Sequence, residues 1–483
     1  MLFRMIYDDR LAQAAYLIGC QRTGEAIVID PERDVDRYIA LAKQEGVRIT
    51  AVAETHIHAD FLSGTREMAE RTGAKVYVSD EGDADWKYQW LDKKVGGGGG
   101  AYPHQLLHDG DTFRVGNIEF KVLHTPGHTP EHIAFMVTDR GGGASAPMGV
   151  VTGDFVFVGD LGRPDLLESA VGVAGAANAS AKRLWNSSRK FVDLPDYLQV
   201  WPAHGAGSAC GKALGAVPQS TVGYEKRFNP MLALVNSEER FVEAINDGQP
   251  EPPLYFARMK RENKAGPAVL GELPRPTPMS GDELAKLDAR TVAVLDTRPW
   301  PAFRAAHVPG AISAPLDKSF PTVAGSYVDP RETIVLVVDE PRVEEAVRDL
   351  VHVGLDRATR FVTPEAFASF AEANPRKAVS TPEVDVAAAQ AMLASGQVPL
   401  VLDVRKRVEF AAGHLPGAAN MVHVRLPAAL ANLPKDRPIL VHCQGGVRSA
   451  RACSILERAG FNVTNLAGGF GAWANGGGAV TKD

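Results

Sequence analysis

Cysteine is scarce in this chain. Four residues (Cys20, Cys210, Cys443 and Cys453) in 483 are too few and too scattered for a disulfide framework, so each is a separate thiol. Long apolar runs are missing as well. None approaches the roughly 20 residues that span a bilayer, and no membrane association is expected. Nor is there an excess of positive charge. The 52 Lys and Arg stand against 58 Asp and Glu, a net charge of −6, which lacks the basic footprint of a nucleic-acid-binding protein. The N-terminal stretch from Met1 to Asp9 carries acids where a secretory signal has its apolar core, and the expected location is cytoplasmic. Hydrophobic content of 45% and charged content of 23% are ordinary for globular protein. The length suits several domains.

Residues 1–245 alternate short β-rich runs, such as Glu25–Asp30, Ala74–Val78 and Phe120–His124, with helical patterns. Glycine runs at Val95–Gly100 and Arg140–Gly143 read as flexible loops without assignable chemistry. The stretch 246–280 holds Pro250, Pro252, Pro253, Pro274, Pro276 and Pro278, a composition that suits an extended linker. Beyond it lies an internal repeat. Leu295-Asp296-Thr297-Arg298 with His307-Val308-Pro309-Gly310-Ala311 recurs 107 residues later as Leu402-Asp403-Val404-Arg405 with His414-Leu415-Pro416-Gly417-Ala418. Two related α/β domains with mostly parallel sheets are expected, at 281–375 and 383–478.

The densest chemistry sits just after the strands. His56-x-His58-x-Asp60 follows the apolar run Ile49–Ala53, His124-Thr125-Pro126-Gly127-His128 follows another, and Thr152-Gly153-Asp154 and Trp201-Pro202-Ala203-His204 add two more segments. Loops at strand ends can gather such scattered side chains at one point. In a hydrolase with two zinc ions the residue after the aspartate is normally another histidine. Here it is Phe61, which cannot coordinate, so the site is biased toward one ion.

This order resembles the metallo-β-lactamase fold, an αββα sandwich, over residues 1–245. Within that superfamily the Thr-His-x-His-Ala-Asp run, the His-Thr-Pro-Gly-His turn, Thr-Gly-Asp and Gly162-Arg163-Pro164-Asp165 resemble the persulfide dioxygenases more than the thioester hydrolases. Many of those dioxygenases keep a histidine where Phe61 stands, so Phe61 argues about metal number more than about family. The resemblance implies His56, His128 and Asp154 as ligands of one Fe(II) ion per chain. Two imidazoles and one carboxylate with open positions also form the facial triad of non-haem iron oxygenases. His58, Asp60 and His204 are read as groups that orient the ligands or face the open side. Arg163 is either a binder of an anionic thiol carrier or half of a surface ion pair.

A second constellation closes the chain. The apolar run Pro438–His442 delivers Cys443-Gln444-Gly445-Gly446-Val447-Arg448 onto the start of a helical pattern. Backbone N–H groups converging at a helix N-terminus stabilise a thiolate, and Arg448 adds positive charge to the same concavity. The four residues between Cys443 and Arg448 make a loop one shorter than that of phosphatases with a similar fold. That size fits a sulfane sulfur on cysteine, and the segment resembles the rhodanese sulfurtransferases. The middle repeat runs instead into Asp339-Glu340-Pro341, with no cysteine between Cys210 and Cys443. It reads as an inactive rhodanese copy. Cys210, six residues after His204 in a glycine-rich segment, is either a sulfur relay near the mouth of the metal pocket or a packing residue. Cys20 and Cys453 read as core.

The expected architecture is therefore an α/β multidomain chain, an αββα sandwich followed by two rhodanese-like domains with parallel sheets. The resemblance implies oxidation of a small-molecule thiol persulfide by O2 to sulfite, then transfer of sulfur through Cys443 to give thiosulfate. A homo-oligomer is expected. Two other readings stay open: a zinc thioesterase of the glyoxalase II kind with sulfurtransferase domains, and a persulfide carrier or sensor without turnover.

Overall fold

The computed structural model describes residues 1–482 other than 171, 173, 174, 285, 289, 290 and 396–398. They form two compact units, one of Met1–Glu272 and one from Leu273 onward.

In the first unit, one sheet keeps sequence order: β1 (Leu2–Asp8), β2 (Gln13–Cys20), β3 (Glu25–Ile29), β4 (Arg48–Ala53), β5 (Lys75–Ser79) and β6 (His104–Leu107). The second sheet uses β7 (Thr112–Val115), β8 (Ile118–His124), β9 (Ile133–Asp139), β10 (Gly149–Gly153), β13 (Gln199–Pro202) and β14 (Ser220–Thr221), in the order β14-β13-β10-β9-β8-β7. A small hairpin of β11 (Val156–Phe157) and β12 (Asp160–Leu161) follows β10.

Strand alternation explains the layers, because successive side chains point to opposite faces. Along β2 and β3, Leu17 and Val28 join Tyr38, Ala42 and Met68 of the covering helices Asp36–Gln44 and Thr65–Thr72. Tyr16, Ile18, Ile27 and Ile29 face the other way and meet Phe120, Phe135 and Val151 of the second sheet. Val150 and Val200 face outward from that sheet, against Leu184, Phe191, Phe241 and Ile245 of the helices Ala176–Val192 and Glu238–Asn246. Helix, sheet, sheet, helix is the expected sandwich. The segments bearing histidine and aspartate leave the C-terminal ends of β4, β8, β10 and β13.

The second unit holds two five-stranded sheets. One has the order β15 (Thr277–Pro278), β19 (Ala358–Val362), β18 (Thr333–Val337), β16 (Val292–Asp296), β17 (Ile312–Ser313). The other has β20 (Glu383–Val384), β24 (Val463–Leu466), β23 (Ile439–His442), β21 (Leu400–Asp403), β22 (Ala419–Asn420), the same order throughout. All pairings in both sheets are parallel. The repeated sequence produces repeated contacts. Arg298 pairs with Asp296 and Arg405 with Asp403, each at 2.6 Å, and His307 and His414 stack on Phe303 and Phe410 at 4.0 and 3.7 Å.

The stretch 246–280 is not an extended linker. Its prolines bracket a helix, Phe256–Ala265, whose Phe256, Met259 and Asn263 are buried. Spacing of three and four residues puts those side chains on one face, and that face seats the helix in the first unit. Beyond Glu272, β15 already belongs to the second unit, paired with β19. The Val95–Gly100 loop is also tied down, since Arg66 donates to the carbonyls of Val95 and Gly98. No helix among the described residues is long and apolar enough to cross a membrane.

Candidate metal centre and thiol loop

Three side chains converge at the ends of β4, β8 and β10. His56, His128 and Asp154 are all buried, and one donor atom from each lies within 4.8 Å of the others. Their orientation is fixed by the chain. His128 Nδ1 donates to the carbonyl of Arg163 at 3.0 Å. The Thr55 hydroxyl gives its hydrogen to Asp30 at 2.9 Å and so accepts from His56 Nδ1 at 3.0 Å. Asp154 is set by its own main chain, whose N–H donates to His132 Nε2 at 3.0 Å. Gly153 enables that approach: at φ +53°, any Cβ there would stand 2.6 Å from the Thr55 hydroxyl and 2.7 Å from His132 Nε2.

Each Nε2 therefore carries a lone pair pointing inward. His128 Nε2 lies 3.4 Å from Asp154 Oδ2. His204 repeats the pattern, with Nδ1 donating to the Ala12 carbonyl at 3.0 Å and Nε2 at 3.3 Å from Asp154 Oδ1 and 3.1 Å from Asp60 Oδ2. His56 Nε2, His204 Nε2, Asp60 Oδ2 and both Asp154 oxygens are buried without a hydrogen-bond partner among the described residues. Buried polar atoms are rarely left so, and lone pairs facing carboxylates repel unless a cation lies between them. The donor set fits a metal ion. Burial pushes the His56 and His128 imidazoles down toward the neutral form that binds metal, whereas the Asp154 and Asp60 carboxylates beside His204 raise it well above the ordinary histidine range despite its burial.

The remaining expected residues divide. Asp60, His204 and Cys210 form a second buried group, again within 4.8 Å. Cys210 is thus inside the site rather than at its mouth, and burial with the Asp60 and Asp154 carboxylates pushes its thiol up to about 12. His58 turns away toward Asp30, at 3.1 Å, where that carboxylate outweighs burial and raises it to about 9. Phe61 packs on the His58 ring with centroids 4.4 Å apart. Arg163 is no surface ion pair: its buried guanidinium grips Asp165 at 2.6 and 2.7 Å and the Ala209 carbonyl at 3.1 Å.

Sequence reasoning passed over four contributors. His132, four residues after His128, was within reach of the pattern. Asp30 accepts from Thr55 N–H at 2.7 Å, from its hydroxyl and from His58, in a left-handed backbone at φ +53°. Glu131 accepts from Ile57 N–H at 2.8 Å, and burial raises it to about 7. Asn263 donates to the carbonyls of His58 and Phe61, each at 2.8 Å, and accepts from Ser63 N–H at 2.9 Å. The loop bearing three of the motif residues is held by a side chain some 200 positions away.

In the second unit, β23 ends at His442 and the Cys443 loop opens the helix Val447–Arg458. The Cys443 sulfur accepts from Gly446 N–H at 3.1 Å, and the Ser449 hydroxyl, which donates to the Gly446 carbonyl at 3.1 Å, lies 3.6 Å from it. Gly446 sits at φ +99°, a conformation only glycine adopts without strain. Phe470 N–H binds the Cys443 carbonyl at 2.7 Å and Gly471 N–H that of Gln444 at 2.9 Å, so the loop is anchored from behind. Arg448 is not a free cation; Glu409 holds it at 2.6 and 2.8 Å. In the middle copy, β18 runs into the short turn Glu340–Arg342 with no thiol. Cys20 lies between the two sheets of the first unit and Cys453 on the helix after the loop, both buried.

A model of the metallo-β-lactamase superfamily matches residues 8–204, and one of the rhodanese-like domain matches residues 385–476. The solved structure of a metallo-β-lactamase from Staphylococcus aureus is 42% identical, covers 75% of this chain and 99% of its own, and superposes with a TM-score of 0.67. A β-lactamase hydrolase-like protein of Agrobacterium fabrum is 28% identical over 54% of this chain, and the match spans only 60% of that relative's length. The mitochondrial persulfide dioxygenase ETHE1 of Bos taurus is 25% identical over 51% of this chain and 81% of its own.

Proposed function

The chain belongs to the metallo-β-lactamase superfamily and ends in a rhodanese-like domain, and from that premise we propose that it oxidises a thiol persulfide with O2 and converts the sulfite formed to thiosulfate. The observation that carries this reading is the buried donor set of two imidazoles and one carboxylate, His56, His128 and Asp154, with one atom of each within 4.8 Å of the others. In this reading His56, His128 and Asp154 hold one Fe(II), which when bound would bring O2 and the outer persulfide sulfur together. The overall reaction balances as RSSH + O2 + H2O → RSH + sulfite + two protons.

The chain's own groups have separable parts. Thr55, Arg163 and Ala12 fix the imidazole tautomers, and His132 fixes the Asp154 main chain. Asp60 and His204 face the same space and would accept or return the protons released. Cys210 beside them is a proposed sulfur acceptor, although its raised thiol makes it a weak nucleophile until a cation is near.

At the second site, the Cys443 thiolate would attack the outer sulfur of a further RSSH, forming a Cys443 persulfide and expelling RS⁻. Sulfite would then attack that outer sulfur, releasing thiosulfate and restoring the thiolate. The Gly446 N–H would stabilise the sulfur anion in both displacements, and the Ser449 hydroxyl would join it by turning from the Gly446 carbonyl. One chain carrying both activities raises the effective concentration of sulfite for Cys443.

Product analysis tests the reading. Fe(II)-loaded protein given glutathione persulfide should consume O2 and yield thiosulfate, and Cys443→Ser should yield sulfite instead at unchanged O2 uptake. Thioester hydrolysis by the zinc form without O2 uptake would replace this reading with the hydrolase.

A further inference from the structure

Arg163 is the cation that the sequence offers for an anionic thiol carrier, and the structure seals it against Asp165. A different cation lines the site. Beside His128 lies a narrow cleft of about 20 Å³ walled by Ile57, Trp86, Thr129, Leu166, Phe256 and Lys260. Of these walls only Thr129 and Lys260 are polar. Lys260 places its ammonium 3.7 Å from the centroid of the Trp86 ring, a favourable seat for a cation over an aromatic face.

The acids around it are only partly committed elsewhere, since Glu131 Oε2 is buried without a hydrogen-bond partner among the described residues. Glu131 accepts from Ile57 N–H at 2.8 Å, and Asp85 lies 3.5 Å from Lys264. Asp83 caps its own short turn by accepting from Asp85 N–H at 2.9 Å. Among the described residues Lys260 has no carboxylate at ion-pair distance. Partial burial with no direct counter-charge, beside Lys264, lowers its pKa from the ordinary value, and Glu131 only partly opposes this. An ammonium held this way gains most from an anion supplied by a ligand.

The helix that carries Lys260 is not free to drift. Asn263, three residues on, is buried and bonded to His58, Phe61 and Ser63 of the metal-site loop, and Phe256 walls the same cleft one turn earlier. Lys260 is thus set at a fixed offset from the loop that bears the site's histidines, as a specificity group must be.

We propose that Lys260 is the carrier-recognition residue of the metal site, taking a carboxylate or phosphate of the thiol carrier while the apolar walls pass the sulfur end toward His128. The substrate class is then the persulfide of an acidic thiol. Neutral or inorganic persulfides would leave the ammonium unmatched. This rests on the persulfide reading of the site.

The test compares Lys260→Met, which keeps the aliphatic stem, with wild type and Lys260→Arg. O2 uptake is measured with glutathione persulfide, which offers carboxylates, coenzyme A persulfide, which offers phosphates, and the neutral persulfide of 2-mercaptoethanol. Lys260→Met should raise KM about tenfold for whichever acidic carrier is native, leave kcat and the neutral substrate unchanged, and be partly rescued by arginine. An equal rise for the neutral substrate, or no rise for either acid, overturns the proposal. Should no persulfide support O2 uptake by wild type, the persulfide reading fails, and calorimetric binding of glutathione and coenzyme A themselves still decides Lys260: weaker binding of one of them to Lys260→Met upholds the anion site, and equal or absent binding to both proteins removes it.

Discussion

His128 Nε2 stands 3.4 Å from Asp154 Oδ2, with the imidazole hydrogen committed on the other side to the Arg163 carbonyl. A lone pair held against a carboxylate is a cation site built into the fold. It stabilises the folded chain only when a cation is present.

Metal removal should therefore lower stability in the wild type alone. An ion at a hundred times its dissociation constant contributes about 2.7 kcal/mol. Chelation should reduce the thermal midpoint of the wild type and leave His128→Ala and Asp154→Ala unchanged, both already metal-poor by elemental analysis. A wild type indifferent to chelation, with full metal content in His128→Ala, would move the ion elsewhere.

Asn263→Ala tests whether the distant helix sets the metal loop. Ser63 N–H and the carbonyls of His58 and Phe61 lose their partner, and each buried group left unsatisfied costs about 1–3 kcal/mol. Weaker metal binding is expected along with the lower stability. Loss of stability at unchanged metal affinity would reduce Asn263 to a packing residue.

Thiol chemistry should separate Cys443 from Cys453 and Cys210. Treatment of the metal-free protein with a persulfide should add one sulfur atom to the wild type by mass, and to Cys453→Ala, but not to Cys443→Ser. Metal-free Cys210, with its thiol pushed up to about 12, should resist alkylation at pH 8, where about one molecule in ten thousand is thiolate. Rapid labelling of Cys210 under those conditions would contradict the burial argument.

His423 gives a pH signature. Burial, then Arg451, Arg448 and Lys406, push its imidazole down to about 3. The folded state keeps it neutral, while the unfolded chain takes up a proton near pH 6.5. Between those values the unfolded state binds more protons, so stability present above pH 6.5 is lost as pH falls. Thermal midpoints at pH 7.5 and 5 should differ less in His423→Asn than in the wild type. Parallel losses would show that other groups carry the acid sensitivity.

The sequence was most legible where chemistry is local. His56, His128 and Asp154 sit in short motifs at strand ends, and the 107-residue repeat forecast two related α/β domains with mostly parallel sheets. It was least legible where one side chain acts on a main chain far away. Asn263 reaches His58 across 205 positions, and nothing in its neighbourhood marks it. The prolines around it suggested an extended connector, yet they bracket a helix whose buried face is only three residues wide. Arg163 failed for a related reason, because a guanidinium read as exposed is turned inward by Asp165 two residues on. Strand-end motifs report which groups are present, but not which way a long side chain turns.

The most direct measurement is O2 consumption by the full chain loaded separately with Fe(II) and with Zn(II), each given glutathione persulfide and, in parallel, a glutathione thioester. The account requires uptake with Fe(II) and persulfide that vanishes in His128→Ala, with the thioester left intact. Thioester cleavage by the zinc form, with no O2 consumed by the iron form, would contradict it.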